Sequence, residues 1–280
     1  MRKYVSVLLV FVLLAGLAAC GGKAQTAETA AAPAETTAAA AATAAAGETT
    51  AAPAAKLEDR TYTVVCSADF PPYEFFENDK IVGAEVDVMN AVAKKIGITV
   101  SYEDMDFDAI IPAIESGKFD IGMSGFTITD ERKKMVNFTD SYTTACQAII
   151  VPNGSPITSA DDLKNNIGKY KIGVQLSTTG DIYATEDFGA DNVEEYTKST
   201  DAVLALTSGK IDCVIIDDAV AKAFAAANTG LTVLKTAYVT EDYAMTLNKK
   251  STDLLGAMNG AIQSLLADGT IGKIMGQYIK

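Results

Sequence analysis

Ser124, Gly125, Thr127 and Arg132 fall within one short stretch, Met-Ser-Gly-Phe-Thr-Ile-Thr-Asp-Glu-Arg-Lys-Lys from Met123 to Lys134, at the end of an apolar run that begins at Phe119. These are parts for holding a small anion. A glycine lets backbone approach a ligand closely, hydroxyls and amides donate hydrogen bonds, and a guanidinium is a planar fork that fits a carboxylate. A first-turn surface arginine on a helix starting near Asp130 has the same local pattern, so the stretch needs partners elsewhere in the chain.

Two such partners stand in the second half. Lys171 to Gln175 reads as a strand that runs into Leu-Ser-Thr-Thr-Gly-Asp, a hydroxyl-rich helix start containing Thr178 and Thr179. Cys213 to Ile216 reads as a strand ending at Asp217 and Asp218. Arg132 with the Thr178 and Thr179 helix start is suited to a carboxylate, and Asp217 to an ammonium. A free α-amino acid carries that pair of groups. Asp217 is equally suited to cap a helix over Asp218 to Ala227, and one side chain can do both.

The elements that must position these residues alternate between strand and helix. Tyr62 to Cys66 reads as a strand, followed by an aromatic loop that Pro71 and Pro72 hold out of regular structure. Val86, Met89, Ala93 and Ile96 have helical spacing and Gly97 ends their helix. A strand from Ile98 to Glu103, a loop from Asp104 to Phe107, a helix near Ala109 to Ser116 and a strand from Phe119 to Met123 follow. Such alternation means βαβ units and a mainly parallel sheet. The segment Ala-Ile-Glu-Ser-Gly-Lys-Phe-Asp from Ala113 to Asp120 is echoed, 92 residues on, by Ala-Leu-Thr-Ser-Gly-Lys-Ile-Asp from Ala205 to Asp212. The echo predicts two α/β lobes of similar build. Ligands of open α/β sheets bind beyond the carboxyl ends of the strands, so the loops starting at Ser67, Ser124, Gln175 and Asp217 are the candidates, with the site between the lobes.

From Leu57 to Lys280 the chain resembles the extracytoplasmic solute-binding proteins of ABC importers for polar amino acids, the glutamine, histidine and lysine/arginine/ornithine binders. The matching motifs are Phe-Pro-Pro-Tyr-Glu-Phe from Phe70, Gly83 with Val86-Asp87, Met105-Asp106-Phe107, Ile111-Pro112 and Thr-Ile-Thr-Asp-Glu-Arg up to Arg132. Phe-Thr-Asp-Ser-Tyr from Phe138, Gly173-Val174, Asp217 and Ala-Asp-Gly-Thr from Ala267 continue the match. Ala84 stands where the family usually has an aromatic residue, and Glu85 where it usually has Asp. The resemblance implies a two-lobed periplasmic-binding-protein fold of type II. It implies that Arg132, Thr127, Thr178 and Thr179 hold the ligand carboxylate, that Asp217, Ser124 and Gly125 hold the ammonium, and that Phe70 and Phe107 sandwich the side chain. Selectivity would rest on Ser67 and Gln175, where basic-amino-acid and glutamine binders often carry charges. Both positions are neutral here and Ile216 adds an apolar wall, which favours a neutral or polar uncharged amino acid over a basic one or cystine.

That reading divides the chain into a signal peptide over 1–19, a lipidated Cys20 with an Ala/Thr-rich tether to 56, one lobe over 57–146 plus 244–280, and another over 147–243. Arg2 and Lys3, a short apolar run and Leu-Ala-Ala before Cys20 resemble a bacterial lipoprotein signal; the tether has no apolar residue larger than alanine. Strands near Gln147–Val151 and Tyr238–Tyr243 would be the hinge, and closure would precede docking of a monomer on a membrane permease. The net charge of −13 argues against nucleic acid. The absence of histidine excludes His ligands and His-based triads, and no cofactor or metal is expected. Cys66, Cys146 and Cys213 sit in apolar runs and read as buried thiols, with one disulfide left open. Two other classes remain: a dehydratase-like enzyme on the same scaffold, with Glu74 or Asp69 as acid or base, and a ligand sensor.

Overall fold

The computed structural model describes residues 57–235 and 238–279; the signal segment, Cys20 and the tether lie outside them. Two sheets organise the chain. The first has the strand order Thr99–Asp104, Thr61–Cys66, Ile121–Gly122, Thr246–Asn248, Val136–Phe138. The second runs Val193–Tyr196, Ile172–Gln175, Cys213–Asp217, Thr143–Pro152, Leu231–Val233, with Val239–Tyr243 also paired to the long strand Thr143–Pro152. In each, the first three strands are parallel and the pairings beyond them antiparallel. The parallel strands are those whose carboxyl ends lead into the candidate loops.

The 92-residue echo is a repeat in structure as well as sequence. The helices Phe107–Glu115 and Ser199–Thr207 end in the same turn, where the Lys118 and Lys210 amides reach back to the Ala113 and Ala205 carbonyls at 3.0 and 2.9 Å. Asp120 and Asp212 then each accept a backbone amide of the neighbouring strand, from Thr63 and Lys171, at 2.8 Å. The same residue types build the same strand entry in both lobes, so the loops beyond them emerge on corresponding edges.

The aromatic loop contains a small sheet of Asp69–Phe70, Glu74–Glu77 and Lys80–Val82 that the prolines concealed. Asn78 and Asp79 both take positive φ, the conformation that two-residue hairpins need and that these side chains tolerate. The helix Ala84–Ile96 buries Val86, Met89 and Ala93, while Ile96 is only partly buried. Phe107 is the first residue of its helix, where a loop was expected, because Asp106 supplies an extended N-cap. Gly83 joins the small sheet to the helix at φ 136°, and a Cβ there would overlap the Tyr73 carbonyl. Gly83→Ala is expected to cost more than about 2 kcal/mol of stability, read by denaturant unfolding, because backbone has to move.

Cys66, Cys146 and Cys213 are free thiols. Cys146 is only half-buried, a departure from the expectation for a residue in an apolar run. It lies on Thr143–Pro152, whose burial is less complete towards its start. No helix of the described residues is long and apolar enough to cross a membrane.

Candidate functional site

Each sheet sends two strand ends towards one cavity, lined by Ser67, Phe70, Phe107, Ser124, Gly125, Arg132, Gln175, Thr178, Thr179 and Asp217. These are ten of the eleven residues singled out in the sequence. The other, Thr127, does not line the cavity. It is buried beside it, with its hydroxyl 3.3 Å from that of Thr179.

Arg132 occupies the first turn of the helix Asp130–Met135, whose N-cap Thr129 accepts the Arg132 amide at 3.2 Å. A surface position was open on sequence, yet the side chain is only 6% exposed. One guanidinium nitrogen donates to the Thr127 carbonyl and another to the Ser177 carbonyl, each at 3.0 Å. The guanidinium also lies 5.5 and 5.4 Å from the ring centres of Phe107 and Phe126. It forms no ion pair with a carboxylate of the described residues. Burial pushes its pKa down to about 10, opposed by the field of Glu241. A buried cation whose remaining N–H groups lack a counter-ion is strongly predisposed towards an anion.

Next to this element, Thr178 caps the helix Thr179–Phe188 by accepting the Asp181 amide at 3.2 Å and donating its hydroxyl to the Gln175 carbonyl at 2.7 Å. The first amides of a helix have no intrahelical acceptor and carry the positive end of its dipole. They add to the anion-binding character beside Arg132.

Asp217 does perform the capping role left open for it. Its Oδ1 accepts the Ala219 and Val220 amides at 2.8 and 3.1 Å at the start of Asp218–Ala227. Its Oδ2 accepts the Tyr243 hydroxyl at 3.0 Å and the Tyr73 hydroxyl at 3.4 Å. It is 1% exposed, and burial raises its pKa to about 7, although those donors pull the other way. The cap therefore also presents a carboxyl group to the cavity.

Ser124 accepts the Ser67 amide at 3.1 Å and donates its hydroxyl to Glu74 at 2.7 Å, while the Gly125 amide donates to both oxygens of Glu85 at 3.1 Å. The φ of Gly125 is 54°, and a Cβ there would stand 3.0 Å from Phe70 and 3.1 Å from Tyr243. At the other end, Gln175 donates to the Ser67 hydroxyl at 3.5 Å and the Thr197 carbonyl at 3.2 Å, and Ser67 donates to Asp69 at 2.7 Å. Phe70 stacks on Tyr73 and Phe107 on Phe126, with ring centres 5.6 and 4.7 Å apart. Phe107 is thus both cavity wall and core.

Gln147, Ile215 and Tyr243 also line the cavity and were not singled out. Gln147 interrupts an apolar strand, which was a signal of its kind; it donates to Glu241 at 2.8 Å and its buried Oε1 has no partner. Glu74 and Asp69, the acids considered for an enzyme, do not line the cavity. Glu74 is fully buried behind Ser124, and Asp69 accepts the Ser199 amide at 2.6 Å.

Two α/β lobes that enclose one small polar cavity define a two-lobed binding protein of the periplasmic type. A model of the bacterial extracellular solute-binding proteins, family 3, matches residues 62–280, and the chain belongs to that family. It is 32% identical over 284 residues to a probable histidine-binding protein of Neisseria gonorrhoeae, covering 99% of this chain and 96% of that one. It is 34% identical over 213 residues to the arginine-binding extracellular protein ArtP of Bacillus subtilis (strain 168), covering 74% and 82%. The solved structure of an ancestral arginine-binding protein bound to arginine has a TM-score of 0.72 at 39% identity, over 79% of this chain and 98% of that one.

Proposed function

We propose that the protein captures a free L-amino acid between its lobes and delivers it to an ABC-type permease. The observation that carries this reading is Arg132, a buried guanidinium without a carboxylate partner among the described residues, on the same cavity as the buried carboxyl of Asp217. The ligand carboxylate is held by Arg132 with the Thr178 and Thr179 helix start, and Thr127 supports the guanidinium through its carbonyl. The ammonium meets Asp217 with the Ser124–Gly125 turn, and the side chain lies between Phe70 and Phe107.

Its far end meets Ser67 and Gln175. The Ser67 hydrogen is committed to Asp69 and the Gln175 amide hydrogens to Ser67 and Thr197. What remains are oxygen acceptors, with Asp69 behind them, and acceptors call for a donor-bearing side chain. An uncharged amide satisfies them, in keeping with the neutral residues at both positions. So does a guanidinium or imidazole, the groups carried by the amino acids for which the two relatives are named.

Capture proceeds by closure. The lobes, 57–146 plus 244–280 and 147–243, turn about Thr143–Pro152 and Val239–Tyr243, and closing removes water so that the charged contacts strengthen. Several bonds support a closed arrangement: Ser199 donates its amide and hydroxyl to Asp69, and Lys198 pairs with Asp106 at 3.2 Å and Asp104 at 3.5 Å. Ser199→Ala, which removes the hydroxyl bonds to Asp69, is expected to lower affinity about tenfold, near the roughly 1.5 kcal/mol of a hydrogen bond to a charged group. The protein acts outside the cell, on a lipid at Cys20 and the tether that follows it. Calorimetric titration against the twenty amino acids, ornithine and cystine tests the reading. Heat with donor-bearing polar amino acids is expected, and no heat with any of them overturns it.

A further inference from the structure

The acids at 74 and 85 are both fully buried, 0% exposed, and neither forms an ion pair among the described residues. They come from different elements, the strand Glu74–Glu77 and the first turn of Ala84–Ile96, and meet behind one turn, Glu74 at the Ser124 hydroxyl and Glu85 at the neighbouring Gly125 amide. Two ionised carboxylates buried behind one turn repel each other and neither can donate to the other, whereas a proton on one of them removes the repulsion and supplies a donor. The other bonds say where it sits. Glu85 Oε1 accepts the Tyr142 hydroxyl, and both Glu85 oxygens accept the Gly125 amide. Glu85 thus accepts from two donors, keeps lone pairs free for a third, and is the ionised member. Among the described residues Glu74 accepts only the Ser124 hydroxyl, through Oε1, and its buried Oε2 accepts nothing. That orphaned oxygen is the place for a hydrogen directed at Glu85.

We infer that Glu74 and Glu85 share one proton, held on Glu74, and that the pair positions the Ser124–Gly125 turn by drawing its donors, the Ser124 hydroxyl and the Gly125 amide, away from the ligand. This rests on the reading of that turn as part of the ammonium site. An ammonium is a donor and needs acceptors, and an outward N–H at Gly125 would oppose it. With both donors taken from behind, the carbonyls of Ser124 and Gly125 accept no hydrogen bond from the described residues and stay uncommitted. The titratable groups that face the pair are Tyr142, Tyr73, Cys66 and Asp69. None of these side chains is a base. Burial and mutual repulsion hold the proton on Glu74 well above the usual carboxylate range, and burial likewise raises Glu85.

The two members differ in what they tolerate, which gives the test. In Glu74→Gln the amide NH₂ donates to Glu85 as the carboxyl hydrogen does, and the amide oxygen still accepts from Ser124. Affinity for the tightest-binding amino acid in calorimetry is expected to stay within about threefold of the unmodified protein. In Glu85→Gln, an NH₂ faces the donors of Gly125 and Tyr142, and affinity is expected to fall at least tenfold. The ligand-free protein gives an independent arm. A retained proton that the unfolded chain releases makes stability fall as pH rises above the ordinary Glu range. The loss of melting temperature between pH 5 and pH 9 is therefore expected to be smaller in Glu74→Gln than in the unmodified protein. Equal losses in the two proteins, or Glu85→Gln binding as tightly as Glu74→Gln, overturn the inference. If the unmodified protein binds no amino acid, the function reading fails, while the melting arm still decides whether the proton is shared. If Glu85→Gln does not fold, the Glu74→Gln arms decide alone.

Discussion

Arg132→Ala is expected to weaken amino acid binding by roughly 3 to 5 kcal/mol, the range for removing one partner of a desolvated charge pair. The loss is specific to the bound state. Without ligand, the guanidinium is buried against two carbonyls and two aromatic rings, with no carboxylate paired to it among the described residues. Removing it relieves a desolvation cost while giving up packing and two hydrogen bonds, so the ligand-free melting temperature should move little compared with the change in affinity. Arg132→Lys is the sharper comparison. An ammonium keeps the charge, but it cannot donate to Thr127 and Ser177 in the same plane while also gripping a carboxylate with two parallel bonds. It should recover only part of the loss. Calorimetry for affinity and thermal unfolding with and without ligand check both variants. An affinity within threefold of the unmodified protein in Arg132→Ala would remove the carboxylate assignment.

The reach of sequence reasoning varies along the chain for physical reasons. Helix Ala84–Ile96 and the strand Thr61–Cys66 were readable because periodicity and capping are local: Gly97 closes the helix in a left-handed turn that its position predicts. The convergence of Ser67, Ser124, Arg132, Gln175 and Asp217 was readable from topology, since strand ends and a repeat suffice to bring loops together. Arg132 remained ambiguous because a first-turn arginine is surface or site depending on what packs over it, and Ser177, which receives its second hydrogen bond, lies 45 residues away. The Glu74, Glu85 and Tyr142 cluster was unreadable for the same reason. Its bonds join positions 40 to 57 residues apart, and a Glu in an aromatic loop or a first helical turn has the pattern of a solvated residue. The hairpin at Asn78 and Asp79 was missed for a different reason: two prolines argue against strands, but they lie just before the turn-and-strand segment rather than within it.

Replacing Asp217 with asparagine tests the other half of the zwitterion site, and pH tests it without a mutation. Burial raises the carboxyl from its ordinary 3.8 to about 7, so in the empty protein it holds a proton below about pH 7 and is ionised above. An ammonium ligand needs the ionised form and must displace that proton to bind. Affinity is therefore expected to rise with pH below 7, by up to about tenfold per unit, and to level off above it. Stability of the ligand-free protein should run the opposite way. Between about pH 4 and 7 the folded state retains a proton that the unfolded chain has released, so this group's contribution falls as pH rises, by about 4 kcal/mol at most. Asp217→Asn removes the titration but keeps the size of the side chain and an oxygen able to accept the Ala219 and Val220 amides. At pH 8 it should bind more than tenfold more weakly while melting no lower than the unmodified protein, because a neutral amide in this buried position avoids the cost of a buried charge. The decisive result is the slope. Calorimetric affinities at pH 5, 6, 7 and 8 should rise in the unmodified protein and stay nearly flat in Asp217→Asn, and parallel slopes in the two proteins would move the ammonium away from Asp217.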